Sequence, residues 1–546
     1  MSNQRPLATY PEDDRLACFP YGVGHGAEGV CLLVQMGPHR ILLDCGLADI
    51  NALTADAKPP ADLVLCSHAH SDHAQGLFSL HQAFPQLPIY ASEVTTQLLP
   101  LNWSGLSPQD VPKFCNALPW RSPVEFRDGL VAELFPAGHL PGAAAFLLTY
   151  TAPGRTYRLL YTGDFFLSNS RLVEGLSIEA LRSTHPDVVI LEGSYGTARH
   201  PHRRQQENLL VERIDQAIAN HHSVLLPVPT LGLGQEILML LRSHHHFTGR
   251  NLDIWVDDTV GAGCDAYLEL LAHFPTSVQN FARHQPLFWD ERVRPRVRRL
   301  RDAPAASLGQ SPCIVLCAET ADLSKYWHPT KYNLQVVLQP ERLKYPLKTD
   351  NSNANSVETY LLAQHGDCLG TTQLIHNLRP QHVVFVHGSP TYLSDLTGLE
   401  ELQNRYHLHS PAAGTFVELP IGETFMQPAP PTETNYEGEL TELGTVVTIT
   451  LPEAIAADPR WQNFADTGLV EARWQGEDLV LRGLSQRELL ASGSHAKMPT
   501  NIDCCANCCH QRGQRCWNAA SPLYGFKVTP EGYCPVFEPT DAPLEN

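Results

Sequence analysis

The chain has 546 residues, of which 43% are hydrophobic and 18% charged, and a formal net charge of −19. That length needs two or three domains with cores of their own, and the composition is globular, not disordered. The acidic balance excludes a broadly basic surface that coats nucleic acid, though metals or a local basic groove can still hold a nucleic-acid substrate.

No stretch approaches the roughly 20 apolar residues of a membrane span. The first residues, MSNQRPLATYPEDDR, lack the apolar core of a signal peptide. Both predict a cytoplasmic protein without a membrane partner. Of fifteen cysteines, nine are scattered singly through residues 18–368 and six crowd into residues 504–534. With no secretion signal, the crowded set points to a metal or cluster more than to disulfides.

In chain order, residues 30–34 (VCLLV) and 41–43 (ILL) flank the turn Gly37-Pro38 and read as a hairpin. Asp44 ends the second run. A carboxylate there can orient ligands of a neighbouring loop, or simply close a turn. The Gly-rich loop at 22–29 is not a phosphate loop, because no Gly-Lys-Ser/Thr follows. Residues 63–66 (LVLC) read as a short buried strand that delivers His68, His70, Asp72 and His73 into the next turn. Imidazoles and a carboxylate are ligand types for zinc. Two His one residue apart can face one ion, and Asp72 and His73 can turn toward a second. Four ligand-type residues within six positions seldom arise as ordinary core or surface groups.

This H-x-H-x-D-H spacing resembles the signature of the metallo-β-lactamase superfamily, which predicts further ligands at later strand ends. Residues 76–120 read as helical with Pro-rich breaks. Strand runs follow at 130–135, 145–148 and 157–161, with His139 just beyond the first and Asp164 just beyond the third. His68, His70, His139 and Asp164 would complete one site, with the Asp164 carboxylate free to bridge two ions. Residues 187–196 (DVVILEGSYG) add a strand with Glu192 near its end. From 200 to about 340, helical and strand patterns alternate as an α/β layer of its own. Its basic stretch at 292–301 reads as a solvated helix face ahead of an RNA contact. His365 and Asp367 follow an apolar run and His387 ends the run 383–386, so a strand–helix–strand crossover would set both His on one strand-end rim.

Here the resemblance narrows to the β-CASP branch, the nucleases that include RNase J and the endonuclease subunit of the cleavage and polyadenylation factor. Asp44 matches the first motif, His68, His70, Asp72 and His73 the second, His139 the third and Asp164 the fourth. Glu192, followed by His200, is similar to the motif A region, while His365 matches motif B and His387 motif C. The cover runs from about residue 16 to 420. Two departures fall near the substrate groove. Leu233 stands where the family usually has Arg, and Cys317-Ala318-Glu319 replaces a Ser-Gly-Met-like turn.

The resemblance implies an αββα sandwich in two parts, 1–199 and 351–426, with a β-CASP α/β cap at 200–350. It also implies two zinc ions, one on His68, His70, His139 and Asp164, the other on Asp72, His73, His387 and Asp164. Water between the zincs would be the nucleophile on an RNA phosphodiester bond. His365, held by Glu192, would be the acid for the leaving oxygen. Asp44 would brace the His loop from behind. Single-stranded RNA is the expected substrate, with internal and 5′-end cleavage both open.

A Pro-rich linker at 427–434 leads to a small α+β module at 435–495, fit for dimerisation or RNA docking. The Cys-rich tail, 500–546, offers Cys505-x2-Cys508-x7-Cys516-x17-Cys534. Its Gly-aromatic-Cys ending is similar to that of high-potential iron–sulfur proteins. A 4Fe–4S cluster is expected there ahead of a structural zinc. Two other classes stand beside the ribonuclease reading: a hydrolase of a small ester or thioester, and a non-catalytic nucleic-acid-binding or redox-sensing protein on the same fold.

Overall fold

Residues 188–191 (VVIL) are buried at every position because both faces of their sheet are covered. Val188 and Ile190 point into the space between two sheets, whereas Val189 and Leu191 point into a second core. The computed structural model describes residues 16–422 except 27, 104–109, 303–310, 324–325, 327–333 and 340–355. Beyond these it describes the strands within 439–483 and, in the tail, residues 505, 508–512, 515–521, 524 and 528. The chain divides into two units, 1–429 and 430–546.

Two seven-stranded sheets make the sandwich of the first unit. One runs Val417–Glu418, Leu16–Val23, Val30–Met36, His39–Leu43, Leu63–Leu65, Ile89–Ser92, Cys115–Leu118. The other runs His407–His409, His382–Val386, Val188–Glu192, Arg155–Tyr161, Ala144–Ala152, Leu130–Pro136, Val124–Arg127. Ile41, Leu43, Leu65, Phe146, Leu148 and Val384 fill the space between them. Alternate residues Leu42, Val64 and Ile89 face outward onto Leu77 and Leu80 of the helix Leu77–Ala83. Helices therefore cover the outer faces, and the fold is the expected αββα sandwich.

The second sheet is interrupted in sequence but not in space. Val188–Glu192 pairs in parallel with His382–Val386, and the inserted layer lies between them in the chain. Six strands form it, all parallel, in the order Arg296–Arg299, Asp253–Val256, Cys313–Ala318, Ser223–Val228, Leu334–Gln339, Ser356–Thr359. The helices Arg203–Ala219, Leu233–Ser243 and Asp258–Glu269 pack on it. Sheet pairing carries the layer to residue 359, past the expected limit of 350.

Three local expectations change. Residues 76–120 contain two strands, Ile89–Ser92 and Cys115–Leu118, each of four residues and too short to show a period. In the basic stretch, Arg296–Arg299 is a sheet-edge strand instead of a helix. Arg296 pairs with Asp253 at 2.6 Å, and Arg299 pairs with Asp265 at 2.5 Å and lies over the Trp289 ring. The apolar run before His365 is not a sandwich strand. Its start, Ser356–Thr359, belongs to the inserted sheet, and residues 360–367 are irregular chain leading into the helix Cys368–Leu378.

In the second unit, Glu439–Leu443 pairs with Val446–Thr450 and Val470–Gln475 with Asp478–Gly483, two antiparallel hairpins. All four strands lie within the residues expected to form the small α+β module. The Pro-rich linker, Cys504 and Cys534 lie outside the described residues. No described helix is long and apolar enough to cross a membrane.

Phe146, fully buried between the sheets, tests the packing. Phe146→Ala should destabilise the sandwich by about 3–5 kcal/mol, read as a lower urea midpoint. A cost under ~1 kcal/mol would contradict close contact between the sheets there.

Candidate metal centre

The His loop is set by close backbone approach. A Cβ on Gly46 would lie 1.7 Å from Asp72 O, and one on Gly29 would lie 1.7 Å from Gly46 O. Only glycine lets these three segments stack, with Cys45 N–H donating to His73 O at 2.9 Å. The strand Leu63–Leu65 then releases Ser67 and His68, and the short helix Ser71–Ala74 carries Asp72 and His73.

Asp44 is fully buried beneath this loop. Its Oδ1 accepts from Ser67 N–H at 2.6 Å. Its Oδ2 accepts from Ser67 Oγ at 2.7 Å, from Tyr161 Oη at 2.5 Å and from His73 Nδ1 at 2.7 Å. Because a carboxylate only accepts, His73 carries its proton on Nδ1 and turns a lone pair on Nε2 toward the site.

The same logic fixes the other rings. Ser67 Oγ gives its proton to Asp44 and so accepts from His68 Nδ1 at 3.0 Å, leaving the His68 Nε2 lone pair. Leu231 O takes His70 Nε2–H at 3.3 Å, and Gln364 O takes His139 Nδ1–H at 2.9 Å. His70 Nδ1 and His139 Nε2 then face each other at 3.0 Å, two lone pairs with no proton between them. Burial, then His365, push His139 down to about 3, so it stays neutral.

All these nitrogens converge on Asp164. Its Oδ2 lies 3.6 Å from His68 Nε2 and 3.7 Å from His139 Nε2. Its Oδ1 lies 3.3 Å from His73 Nε2 and 2.8 Å from His387 Nδ1. His387 Nε2 is 3.3 Å from Asp72 Oδ2. His68, His70, His139 and Asp164 thus form one potential metal-holding group, and Asp72, His73 and His387 another. Asp164 presents one oxygen to each side.

The arrangement fits a divalent cation. His68 Nε2, His73 Nε2 and Asp164 Oδ1 are buried and complete no hydrogen bond. Each such orphan would cost about 1–3 kcal/mol, and nitrogen and carboxylate donors suit a borderline ion. Burial opposes charge on His73, yet Asp164 and Asp44 carry it up to about 10, so positive charge is favoured at that point. Burial likewise opposes ionisation of Asp164, but His387 and His73 hold its carboxyl well below the usual range.

Glu192 and His365 stand beside this group. His365 Nδ1 lies 2.9 Å from Glu192 Oε2 and 3.7 Å from Asp164 Oδ2. Glu192 Oε1 accepts from Phe165 N–H at 2.7 Å, and Ser194 Oγ donates to its other oxygen. Burial would raise the Glu192 carboxyl, but His365 together with His387 holds it at about 2. His200 sits near by, its ring 4.3 Å from that of Tyr195.

Several supporting residues escaped the sequence reading. Ser67 and Tyr161 are the partners of Asp44, and their place beside His68 and near Asp164 was the only signal. Gly24, in the loop at 22–29, lets His387 approach, since a Cβ there would lie 2.7 Å from His387 Cδ2. Arg203 donates to Ala363 O at 2.9 Å and bonds Glu207 and Glu236. In the tail, Cys508 N–H donates to Cys505 O at 3.2 Å, and Cys516 ends the small hairpin Gln511–Arg512/Arg515–Cys516. Cys505 and Cys516 are buried and Cys508 half-buried. Among the described residues no three cysteines converge as a metal-holding group.

Asp44→Ala should weaken metal binding about 10–100-fold, measured by competition with a chromophoric chelator. Unchanged affinity in a folded variant would remove Asp44 from the support of this centre.

A β-lactamase superfamily domain matches residues 39–221. An uncharacterized protein of Synechocystis sp. is 51% identical over 96% of this chain and 97% of its own length. A probable RNase of Methanocaldococcus jannaschii is 28% identical over 39% of this chain and 54% of its own. Subunit 3 of the cleavage and polyadenylation specificity factor of Dictyostelium discoideum is 24% identical over 72% of this chain and 56% of its own. The chain thus spans little more than half the length of these last two. Their likeness extends the match beyond the superfamily domain, and the chain belongs to the β-CASP branch of the metallo-β-lactamase superfamily.

Proposed function

We propose that this chain is a di-zinc ribonuclease that hydrolyses phosphodiester bonds of single-stranded RNA. The observation that carries the reading is the ring of lone-pair nitrogens around Asp164 with the Glu192–His365 pair at its edge. His68, His70, His139 and Asp164 would hold one zinc, and Asp72, His73, His387 and Asp164 the other. Bound there, the ions would activate water and offset charge on the phosphoryl oxygens.

The chain's own residues do the rest. Asp44 fixes the rings of His68 and His73 through Ser67 and directly. Glu192 takes one nitrogen of His365 and favours its protonated form, leaving the other nitrogen to protonate the leaving oxygen. A substrate of RNA size also explains the six-stranded layer beside the site, which a small ester would not need. The names of the Methanocaldococcus and Dictyostelium relatives support RNA. For the tail, Cys505, Cys508, Cys516 and Cys534 are proposed to hold a 4Fe–4S cluster, with a structural zinc as the other occupant.

The test is incubation of purified protein with 5′-end-labelled and internally labelled single-stranded RNA, with and without chelator. Chelator-sensitive cleavage is expected. His365→Ala should cut turnover roughly 10²–10⁴-fold with metal content unchanged, whereas His387→Ala should lose metal. Equal metal loss in both would deny His365 the role of acid, and intact cleavage in excess chelator would end the metallohydrolase reading.

A further inference from the structure

A second set of histidines lies in the inserted layer, at the far end of a helix whose beginning touches the first centre. The helix Leu233–Ser243 follows Leu231, whose carbonyl faces His70. Its 11 residues span about 16 Å. At its other end come His244, His245 and His246 in succession.

Three consecutive side chains normally diverge, by about 100° per residue on a helix or to alternate faces on a strand. Here they do not. His244 leaves the helix with ψ 135, and its carbonyl then accepts from Phe247 N–H at 3.0 Å and from Thr248 N–H at 3.1 Å. Phe247 is fully buried in the layer's core and anchors this turn. The three rings are gathered as a result, with centroids 4.3, 5.0 and 4.4 Å apart. A nitrogen of each lies within 4.8 Å of the others.

Two further features point to a cation. His246 Nδ1 faces Asp215 Oδ2 at 3.5 Å. Asp215 is itself held by Arg250, so its carboxylate is placed to orient the His246 ring, as carboxylates do for metal-bound imidazoles. The rings also stand at the helix C-terminus, the negative end of its dipole.

We propose that His244, His245 and His246 form a separate site for one borderline divalent cation of the zinc, nickel or copper type, with Asp215 orienting His246. Three imidazoles are the ligand type for such ions and not for magnesium or calcium. His245 is exposed, which leaves the remaining coordination positions to water. The site shares no residue with the Asp164 centre and stands whether or not the chain cleaves RNA.

Nickel calorimetry on the full chain, with its resident metals left in place, tests it. The native protein should bind Ni2+, and one equivalent should disappear in the variant His244→Ala/His245→Ala/His246→Ala. Asp215→Asn should weaken that equivalent about 10-fold or more. Far-UV circular dichroism and resident metal content should match the native protein in both variants. A native chain that takes up no Ni2+, or Ni2+ uptake unchanged in the triple variant, would overturn the proposal.

Discussion

One buried carboxylate carries the first centre. Asp44 accepts four hydrogen bonds, from the backbone and side chain of Ser67, from Tyr161 and from His73. Its donors come from both sheets, since Tyr161 ends Arg155–Tyr161 and Ser67 follows Leu63–Leu65. Asp44 therefore fixes the spacing of the sheets at their open ends as well as the tautomers of the rings. It does so from φ 58°, a left-handed conformation that costs an L residue about 1–2 kcal/mol. His387, at φ 50°, shares that strain. Each is the first residue after a strand, and in each the left-handed turn aims a side chain inward where a continued strand would not.

The remaining constraint is electrostatic. Two backbone carbonyls, one serine and one carboxylate consume the outward protons of four imidazoles. What they leave inside is acceptor facing acceptor, as between His70 Nδ1 and His139 Nε2 at 3.0 Å. Among the described residues no internal donor resolves this, and burial bars water from doing so cheaply. A protein can keep such a set only if a cation or protons occupy it. Against its burial, His73 is pushed up by Asp164 and Asp44, whereas burial and then His365 push His139 down although Asp164 lies near.

Much of this was legible in the sequence because ligand types cluster tightly in residues 68–73 and because the other ligands each end an apolar run. Strands such as Val30–Met36, Leu130–Pro136 and Val188–Glu192 announced themselves by the apolar runs within them. Four-residue strands such as Ile89–Ser92 could not, since so short a run shows no period. Arg296–Arg299 looked helical because its charges mask a strand whose partners, Asp253 and Asp265, lie far away in sequence. The place of His365 was misread for a related reason. Its neighbours satisfy their carbonyls with side chains 160 and 225 residues away instead of with a strand beside them.

That last arrangement has a mechanical consequence. Ala363 O is held by Arg203, on the first helix of the inserted layer, and Gln364 O by His139, in the sandwich. Arg203 is in turn fixed by Glu207 and Glu236, and Glu207 also takes Arg171 of the sandwich at 2.6 Å. Two adjacent carbonyls are thus gripped from two layers, immediately before the imidazole that meets Glu192. Any rotation of the layer against the sandwich must strain one grip or release the other. The orientation of His365 is therefore tied to the position of the layer, although no strand connects them.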